Sequence, residues 1–499
     1  MGNTKGELPV RQLILAGSTA LLLAACSTSV PRLSQAELGA AATSARADIV
    51  QRSEAVTGTI DVYEAMARAL KSNLDHRVAM MEVDLAQADS DLSGWEQLPK
   101  VVASGGYFGR TNEAGASSLS LLSGRQSLEP STSLEREYAA GDLTASWNIL
   151  DFGLSRIRAE QLANESHIAE ERHRKAVITI MQDVHAAYWR AVGSERLLRR
   201  LQGLEADVRA AFADSRRIYE GRRTAPMPAL TFQRELNDIQ SQAQRLQREM
   251  GEAKAELAAL MGLMPDQDFT LTVPARFDTP RQLTMGLTDM MDVAVRQRPE
   301  VRESLYRARI GEEEIRAATL RAFPSLEAFA GLNASTNDFL FNQDWVAYGA
   351  KASWNLLDVF ATGDRKKRAG AQLELERARA TAAAMAVMTQ VAVSRQRYTA
   401  LAEEYATAEV GASVQTDITS LVSAQAQAAS ASRQTLVREQ MNAILAEARR
   451  DAVHAYMREA EAQIYASMGF DPYPAGVSGT EDLQTLAAAL RELWTARPI

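Results

Sequence analysis

The chain contains itself twice, and no other feature narrows its possible folds as far. Ala145-Ser146-Trp147-Asn148-Ile149-Leu150-Asp151 matches Ala352-Ser353-Trp354-Asn355-Leu356-Leu357-Asp358 at an offset of 207. The same offset pairs Met181 with Met388, Val184 with Val391, Met261-Gly262 with Met468-Gly469, and Pro265 with Pro472. Upstream the offset is 225: Pro99 pairs with Pro324, Gly106 with Gly331, and Thr111-Asn112 with Thr336-Asn337. The first copy therefore holds 18 extra residues between Asn112 and Thr144. Glu113 to Glu137, rich in Ser, Gly and Leu and without sustained periodicity, reads as a long loop at a hairpin tip.

Each copy predicts the same order of elements. Repeat 1 spans 59–275: a helix from Ile60 to Trp95, strands over 100–111 and 139–150, then helices over 153–219 and 229–262. Repeat 2 spans 284–472: a helix from Leu287 to Ala322, strands over 325–336 and 345–357, then helices over 361–427 and 436–469. Pro99 and Pro324 end the first helices. The fold class this implies is mainly α with a small β part.

The strands argue for a membrane. In Leu143-Thr144-Ala145-Ser146-Trp147-Asn148-Ile149, apolar residues alternate with Thr, Ser and Asn, and Ala350-Lys351-Ala352-Ser353-Trp354-Asn355-Leu356 does the same with a lysine on the polar face. Period-two alternation with a small polar face suits a barrel strand between lipid and a wet lumen, and it also suits a half-buried strand in a soluble sheet. On the barrel reading Ser146, Asn148, Lys351, Ser353 and Asn355 face the lumen. Four strands cannot close a barrel, and lipid does not tolerate open edges. Three copies give twelve strands, so a homotrimer is expected, although strand counting alone admits other numbers. Lys351 in a lumen tilts selectivity toward anions; the other reading is a lysine snorkelling at the membrane interface.

The helices argue for reach. Gly153 to Tyr219 lacks proline, and its 67 residues span roughly 100 Å at helical rise. Leu197, Leu201, Leu204, Val208, Ala211, Ser215 and Ile218 recur at spacings of four and three. Leu236, Ile239, Ala243, Leu246, Met250, Ala253, Leu257 and Leu260 repeat that rhythm on the returning helix, as a coiled-coil seam requires. Gly221, Pro226 and Pro228 mark the first turn, whereas the second, Ala428 to Thr435, has neither Gly nor Pro.

The N-terminus sets the compartment. Lys5 and Arg11 precede an apolar run from Leu13 to Ala25, then Leu23-Ala24-Ala25-Cys26 places small residues before a cysteine. This reads as a signal peptide over 1–25, and it resembles a bacterial lipobox. That resemblance implies cleavage before Cys26, lipid on its thiol and amine, and a lipidated linker over 26–58; Ser27, rather than Asp, favours the outer membrane. Cys26 is the only cysteine, which excludes an internal disulfide and a Cys-based zinc site. The formal charge is -8, near -9 without the signal, which argues against nucleic acid as a partner.

Lipobox, strand pair, long helix, tip and return helix, with the last four duplicated, resemble the TolC-like outer-membrane factor family, lipoprotein type. Pro299-Glu300-Val301, Trp354-Asn355-Leu356-Leu357-Asp358 and Ala466-Ser467-Met468-Gly469 are typical of it. The resemblance implies a trimeric twelve-stranded outer-membrane barrel, continuous with an α-helical coiled-coil barrel in the periplasm of a Gram-negative bacterium. It implies a passive export duct, the outer-membrane component of a tripartite efflux or type I secretion system. The implied partners are a periplasmic adaptor and an inner-membrane pump, with no cofactor beyond the lipid on Cys26. Many members carry acidic residues after the helical tip. Here Met227, Pro228, Ala229 and Leu230 follow the first tip and Thr435, Leu436, Val437 and Arg438 the second. Gly221, Arg222, Arg223 and Arg433 are the candidate tip residues for docking and entrance, and they make both tips basic.

No catalytic or metal site is expected. His167 and His173 are six apart beside Glu170 and Glu171, which is not the i, i+4 zinc pair and reads as a solvated face. No Walker loop, dinucleotide turn or nucleophile elbow is visible, and Asp151 and Asp358 read as junction or cap residues. In the tail, 476–499, Leu483, Leu486, Leu490 and Leu493 share one helical face. The competing function is a non-conducting coiled-coil periplasmic lipoprotein, an adaptor or spacer. Cys26→Ser should abolish incorporation of labelled palmitate while leaving the protein in the outer-membrane fraction, because the barrel reading makes the lipid an added tether. Palmitate labelling that survives the substitution refutes the lipobox.

Overall fold

A computed structural model describes residues 32–496 apart from 128, 221–225, 265, 429 and 472–480. Cys26 and the signal segment, Gly221, Arg222, Arg223, Pro265 and Pro472 lie outside the described residues. The chain divides into two units, 1–53 and 54–499. In the first, helix α1 (Gln35–Arg52) starts at a capping box: Ser34 Oγ accepts from the Glu37 amide at 3.2 Å, and the Glu37 carboxylate accepts from the Ser34 amide at 2.7 Å. None of its residues is buried. The linker expected over 26–58 thus contains a helix.

The second unit runs β1 (Thr59–Ile60), α2 (Val62–Ser72), α3 (Leu74–Trp95), β2 (Lys100–Gly109), β3 (Glu137–Asn148), α4 (Ile149–Glu220), α5 (Pro226–Leu260) and β4 (Thr270–Leu271). It continues with α6 (Leu287–Gln297), α7 (Pro299–Leu320), β5 (Ser325–Ser335), β6 (Asp344–Ser353), α8 (Leu356–Gln427), α9 (Arg433–Met468) and α10 (Leu483–Ala496). The architecture is mostly helical with a small sheet part. Helices α4 and α8 are each 72 residues, about 108 Å at helical rise.

The single helices expected over 60–95 and 287–322 are each broken in two. Asn73 is extended, and its carboxamide oxygen caps α3 by accepting from the His76 amide at 2.9 Å. Arg298 is extended because Pro299 follows it and disfavours the helical region. Each break seats the end of a return helix. Helix α5 turns at Gly262 (φ 70°) and α9 at Gly469 (φ 71°). Leu263 N donates to Ala258 O at 2.8 Å and Phe470 N to Tyr465 O at 3.3 Å, the six-to-one bond of a Schellman turn. A Cβ on Gly262 would meet Ser72 O at 2.5 Å, and one on Gly469 would meet Arg298 N at 2.8 Å, so glycine is required twice over at both corners.

The chain also departs from expectation at the strand ends. The strands expected to reach 150 and 357 stop at Asn148 and Ser353, because Asn148 and Asn355 begin the long helices. Asn148 Oδ1 accepts from the Leu150 and Asp151 amides at 3.0 and 3.3 Å, and Asn355 Oδ1 from Leu357 at 3.2 Å. The caps are therefore asparagines, while Asp151 and Asp358 sit in the first turns, where the helix dipole favours a negative charge. The segment expected as a loop over 113–137 is a narrow hairpin, with bridges Ala116–Ser131 and Leu119–Gln126 and a left-handed Gly124 near its tip.

Four antiparallel strands form one sheet in the order β2-β3-β5-β6, so β3 and β5 join the two halves. The unanticipated two-residue strands β1 and β4 pair in parallel, and Tyr188 Oη donates to Thr272 O beside them at 2.9 Å. One core gathers both halves: Met66, Met181, Leu257, Met261, Met290, Tyr398, Ile464 and Met468 are buried together with Leu486, Leu490 and Trp494 of α10. A second cluster, nearer the tips, joins Leu197 and Leu204 of α4, Leu236 of α5 and Met441 and Ile444 of α9.

His454 is 1 % exposed, stacked on Phe277 at 3.9 Å between ring centroids and edge-on to Trp189 at 4.9 Å. His185 stacks on Trp494 at 5.5 Å. Burial, reinforced by the Arg458 charge, pushes the His454 imidazole down to about 2 and His185 down to about 3. Both rings thus stay neutral in the folded chain where a free imidazole, near 6.5, takes up a proton. The unfolded chain then binds more protons, so stability falls as the pH drops below about 6.5 and is insensitive to these rings above it. His454→Phe should remove about 2 kcal/mol of the stability lost between pH 7 and 5, read as a smaller shift in the thermal transition followed by circular dichroism. An unchanged shift refutes this account of the core.

Candidate duct wall and tips

The register divides the sheet into two unlike faces. One carries Val101 and Ala103 of β2, Leu143, Ala145 and Trp147 of β3, Leu326, Ala328, Ala330 and Leu332 of β5, and Val346, Tyr348, Ala350 and Ala352 of β6. The opposite face carries Lys100, Ser104, Asp142, Thr144, Ser146, Asn148, Glu327, Asn333, Lys351 and Ser353, interspersed with Val102, Phe329 and Trp345. Among the described residues the outer edges of β2 and β6 pair with no strand.

Of the sequence-nominated wall residues, Ser146, Asn148, Lys351 and Ser353 share the polar face. Asn355 does not: β6 ends at Ser353, and Asn355 caps α8. Asn148 Nδ2 donates to Ser325 Oγ at 2.7 Å, and Ser325 stands opposite Ser353, so three of these small polar groups meet where sheet becomes helix. Ser146, Asn148, Lys100, Asp151 and Glu327 line a shallow notch of about 200 Å3 at that junction.

Lys351 has a cross-strand neighbour of opposite charge that the alternation pattern does not identify. Glu327 stands directly opposite it in the β5–β6 register, on the same face. Facing residues in an antiparallel pair have Cβ atoms about 5 Å apart, close enough for opposite charges to compensate. Lys100 and Asp142 bring that face to two cations and two anions. The alternation in Leu326-Glu327-Ala328 assigns Glu327 to a face and leaves its register open.

Aromatic rings pave part of the same face. A Cβ on Gly349 would lie 2.8 Å from Phe329 Cζ, and one on Gly106 would lie 2.9 Å from Phe108 Cζ. Each ring therefore lies over a glycine and stays close to the sheet. Thr144 Oγ1 occupies the corresponding space over Gly331 and donates to Asp142 Oδ2 at 2.9 Å.

At the tips, α9 begins at Arg433 after an N-cap in which Ser432 Oγ accepts from the Thr435 amide at 3.0 Å. Arg433 pairs with Asp207 of α4 at 2.8 Å, and Arg438 reaches Glu235 of α5 and Glu439. Both arginines thus tie one half of the chain to the other, or to their own helix. Gly221, Arg222 and Arg223 lie outside the described residues. Of the histidines, His167 is exposed and pairs with Glu170 at 3.2 Å, whereas His173 turns inward and stacks on His76 at 5.1 Å between centroids. Among the described residues no group of three or more His, Cys, Asp or Glu is placed to hold a metal ion, and no helix is long and apolar enough to cross a membrane.

A family model described as outer membrane efflux protein matches residues 65–263. No curated protein sequence matches the chain. Solved structures do. The outer-membrane channel OprN superposes with a TM-score of 0.63 at 18% identity, over 82% of this chain and 89% of that one. The CmeC outer membrane channel of Campylobacter jejuni gives 0.64 at 14% identity, over 86% and 89%. The open MtrE outer membrane channel of Neisseria gonorrhoeae gives 0.60 at 16% identity, over 84% and 94%. At these identities the structural matches show a shared fold, and the sequence match to the outer membrane efflux protein family covers residues 65–263, less than half of the chain.

Proposed function

We propose that three copies of this chain close their sheets into a twelve-stranded outer-membrane barrel, polar face inward, that opens into an α-helical barrel in the periplasm and serves as a passive export duct. The carrying observation is a sheet with one apolar face, one polar face and two unpaired edges. In lipid such edges need partners, and copies of the same chain supply them. Helices of 72 residues then give the reach to span periplasm. On this reading the chain is the outer-membrane component of a tripartite efflux or type I secretion system, tethered also by lipid on Cys26. It acts with a periplasmic adaptor and an inner-membrane pump, and it needs no cofactor and no chemistry of its own. The tip residues Gly221, Arg222, Arg223 and Arg433 are the proposed docking surface. The two repeats, 59–275 and 284–472, are the proposed units from which the barrel is built. A non-conducting spacer is less favoured, because it leaves the apolar sheet face in water.

The deciding experiment is purification from outer-membrane fractions followed by electrophoresis with and without heating, and conductance in planar bilayers. A heat-modifiable trimer that conducts is expected; a soluble monomer after delipidation overturns the proposal. Cysteines engineered at Arg433 and Arg222 should crosslink to a periplasmic adaptor in cells, and an intact trimer that captures nothing periplasmic sinks the pump-coupled reading.

The charge pair makes a separate prediction. In a KCl gradient Lys351→Ala should move the reversal potential toward cation preference and Glu327→Ala toward anion preference by a similar amount, each about a few millivolts under physiological screening. Two variants that shift in the same direction, or not at all, exclude this pair from the conducting wall.

A further inference from the structure

Helices α3, α4, α7 and α8 leave between them a cleft of about 710 Å3. That volume is in the range of small-molecule sites. Its floor is apolar, formed by Ile168, Ile310 and Gly311. Glycine at 311 lets α7 and α8 meet closely beside the cleft, since a Cβ there would stand 3.3 Å from Leu373.

The charges around the floor are unbalanced in use. Five acids line it: Glu82, Asp89, Glu165, Glu314 and Glu376. Three arginines do as well, but two of them, Arg172 and Arg307, are drawn to Glu303 outside the lining, at 3.0 and 2.7 Å. The third, Arg158, pairs with Glu165 at 3.7 Å. Glu314 is held by Arg321 at 3.2 Å and by Gln161 at 3.4 Å. Glu82 and Asp89, one above the other on α3, have no ion pair or hydrogen bond to their side chains among the described residues.

Glu376 supplies an independent sign. It is 94 % buried at the α8 wall of the cleft, being 6 % exposed. Its Oε1 accepts from Gln372 Nε2 and Arg379 Nη1, both at 2.8 Å, while its Oε2 has no partner. A buried carboxylate oxygen without a donor is costly, and a bound group that donates a hydrogen bond or brings positive charge offsets that cost.

We propose that this cleft binds organic cations with an apolar body, the body on the Ile168–Ile310 floor and the charge toward Glu82, Asp89 and Glu376. Such a site makes the helical wall selective, so the chain does more than enclose an aqueous path. The inference uses only the four helices, and it stands whether or not the sheets close into a barrel.

The test is fluorescence anisotropy of ethidium with the purified full chain in detergent, with neutral N-phenyl-1-naphthylamine as the control probe. Saturable ethidium binding is expected, weakened about threefold by Glu82→Gln or Asp89→Gln and by about tenfold when both are changed. Ala86→Phe, on the α3 side of the cleft, should reduce binding of both probes by filling space, while the carboxamide variants leave the neutral probe unaffected. Glu376→Gln should also weaken ethidium; where that variant fails to fold, the α3 variants decide. Binding that does not saturate, or that is equal in the wild type, the double carboxamide variant and Ala86→Phe, overturns the proposal.

Discussion

The fold turns on two backbone corners. Each return helix ends in a left-handed glycine pressed against the break between two shorter helices, Gly262 on Ser72 and Gly469 on Arg298. The contact leaves no room for a Cβ, so the angle between return helix and broken helix is fixed by backbone sterics rather than by side-chain packing. Polar side chains then satisfy the carbonyls exposed at the helix ends. Asn73 Nδ2 donates to Leu260 O at 3.1 Å, and Arg298 Nη1 to Ala466 O at 2.7 Å. Arg174 of α4 fastens the second corner from outside, donating to Gln297 O and Gly469 O at 2.7 Å each. The large core of methionines and tyrosines assembles around this frame.

From the corners outward the chain exchanges one kind of order for another. The short helices feed strands whose faces differ in polarity, and asparagine caps at 148 and 355 convert those strands into 72-residue helices, directly at the first junction and across Trp354 and Asn355 at the second. The same junction collects small hydroxyl and amide side chains, and on the polar face Glu327 stands opposite Lys351. A face built this way offers hydrogen-bonding groups and sets two cations against two anions, so it carries no net charge. The cleft between α3, α4, α7 and α8 is the departure from that neutrality.

Much of this was legible in the residues, and the reason is periodicity. The offsets of 207 and 225 tie matching landmarks together, and alternation around Trp147 and Lys351 assigns strand faces without any coordinates. Features that depend on contacts between distant segments were not legible. Asn73 sits inside a continuous helical pattern, and only the approach of Gly262 makes a break there favourable. The β1–β4 pair is two residues long, too short for any periodicity to register. Asp151 and Asp358 drew attention as charged residues at a junction, while the capping was done by the asparagines three positions earlier. His173 was read as solvated because its neighbours are charged, yet His76, nearly a hundred residues upstream, supplies it with a stacking surface. Glu327 was overlooked because a residue's cross-strand partner depends on register, which alternation alone leaves open.

The corners also show how far two matched halves of a chain can drift apart. Asn73 and Arg298 stand at equivalent positions and each serves a carbonyl in the last turn of a return helix, but Arg298 additionally grips Glu300 with Nε and Nη2, both at 2.9 Å, and reaches Gln390 at 3.1 Å. Asn73 is too short for any such grip, and the sequence at the matching sites no longer agrees. The halves have become non-interchangeable parts. Unequal recombination between them would put a short amide where a forked cation is needed, or bury a guanidinium with no carboxylate to meet it. Each corner is thus fitted to its own neighbours, and neither residue can replace the other without leaving a buried polar group unmatched.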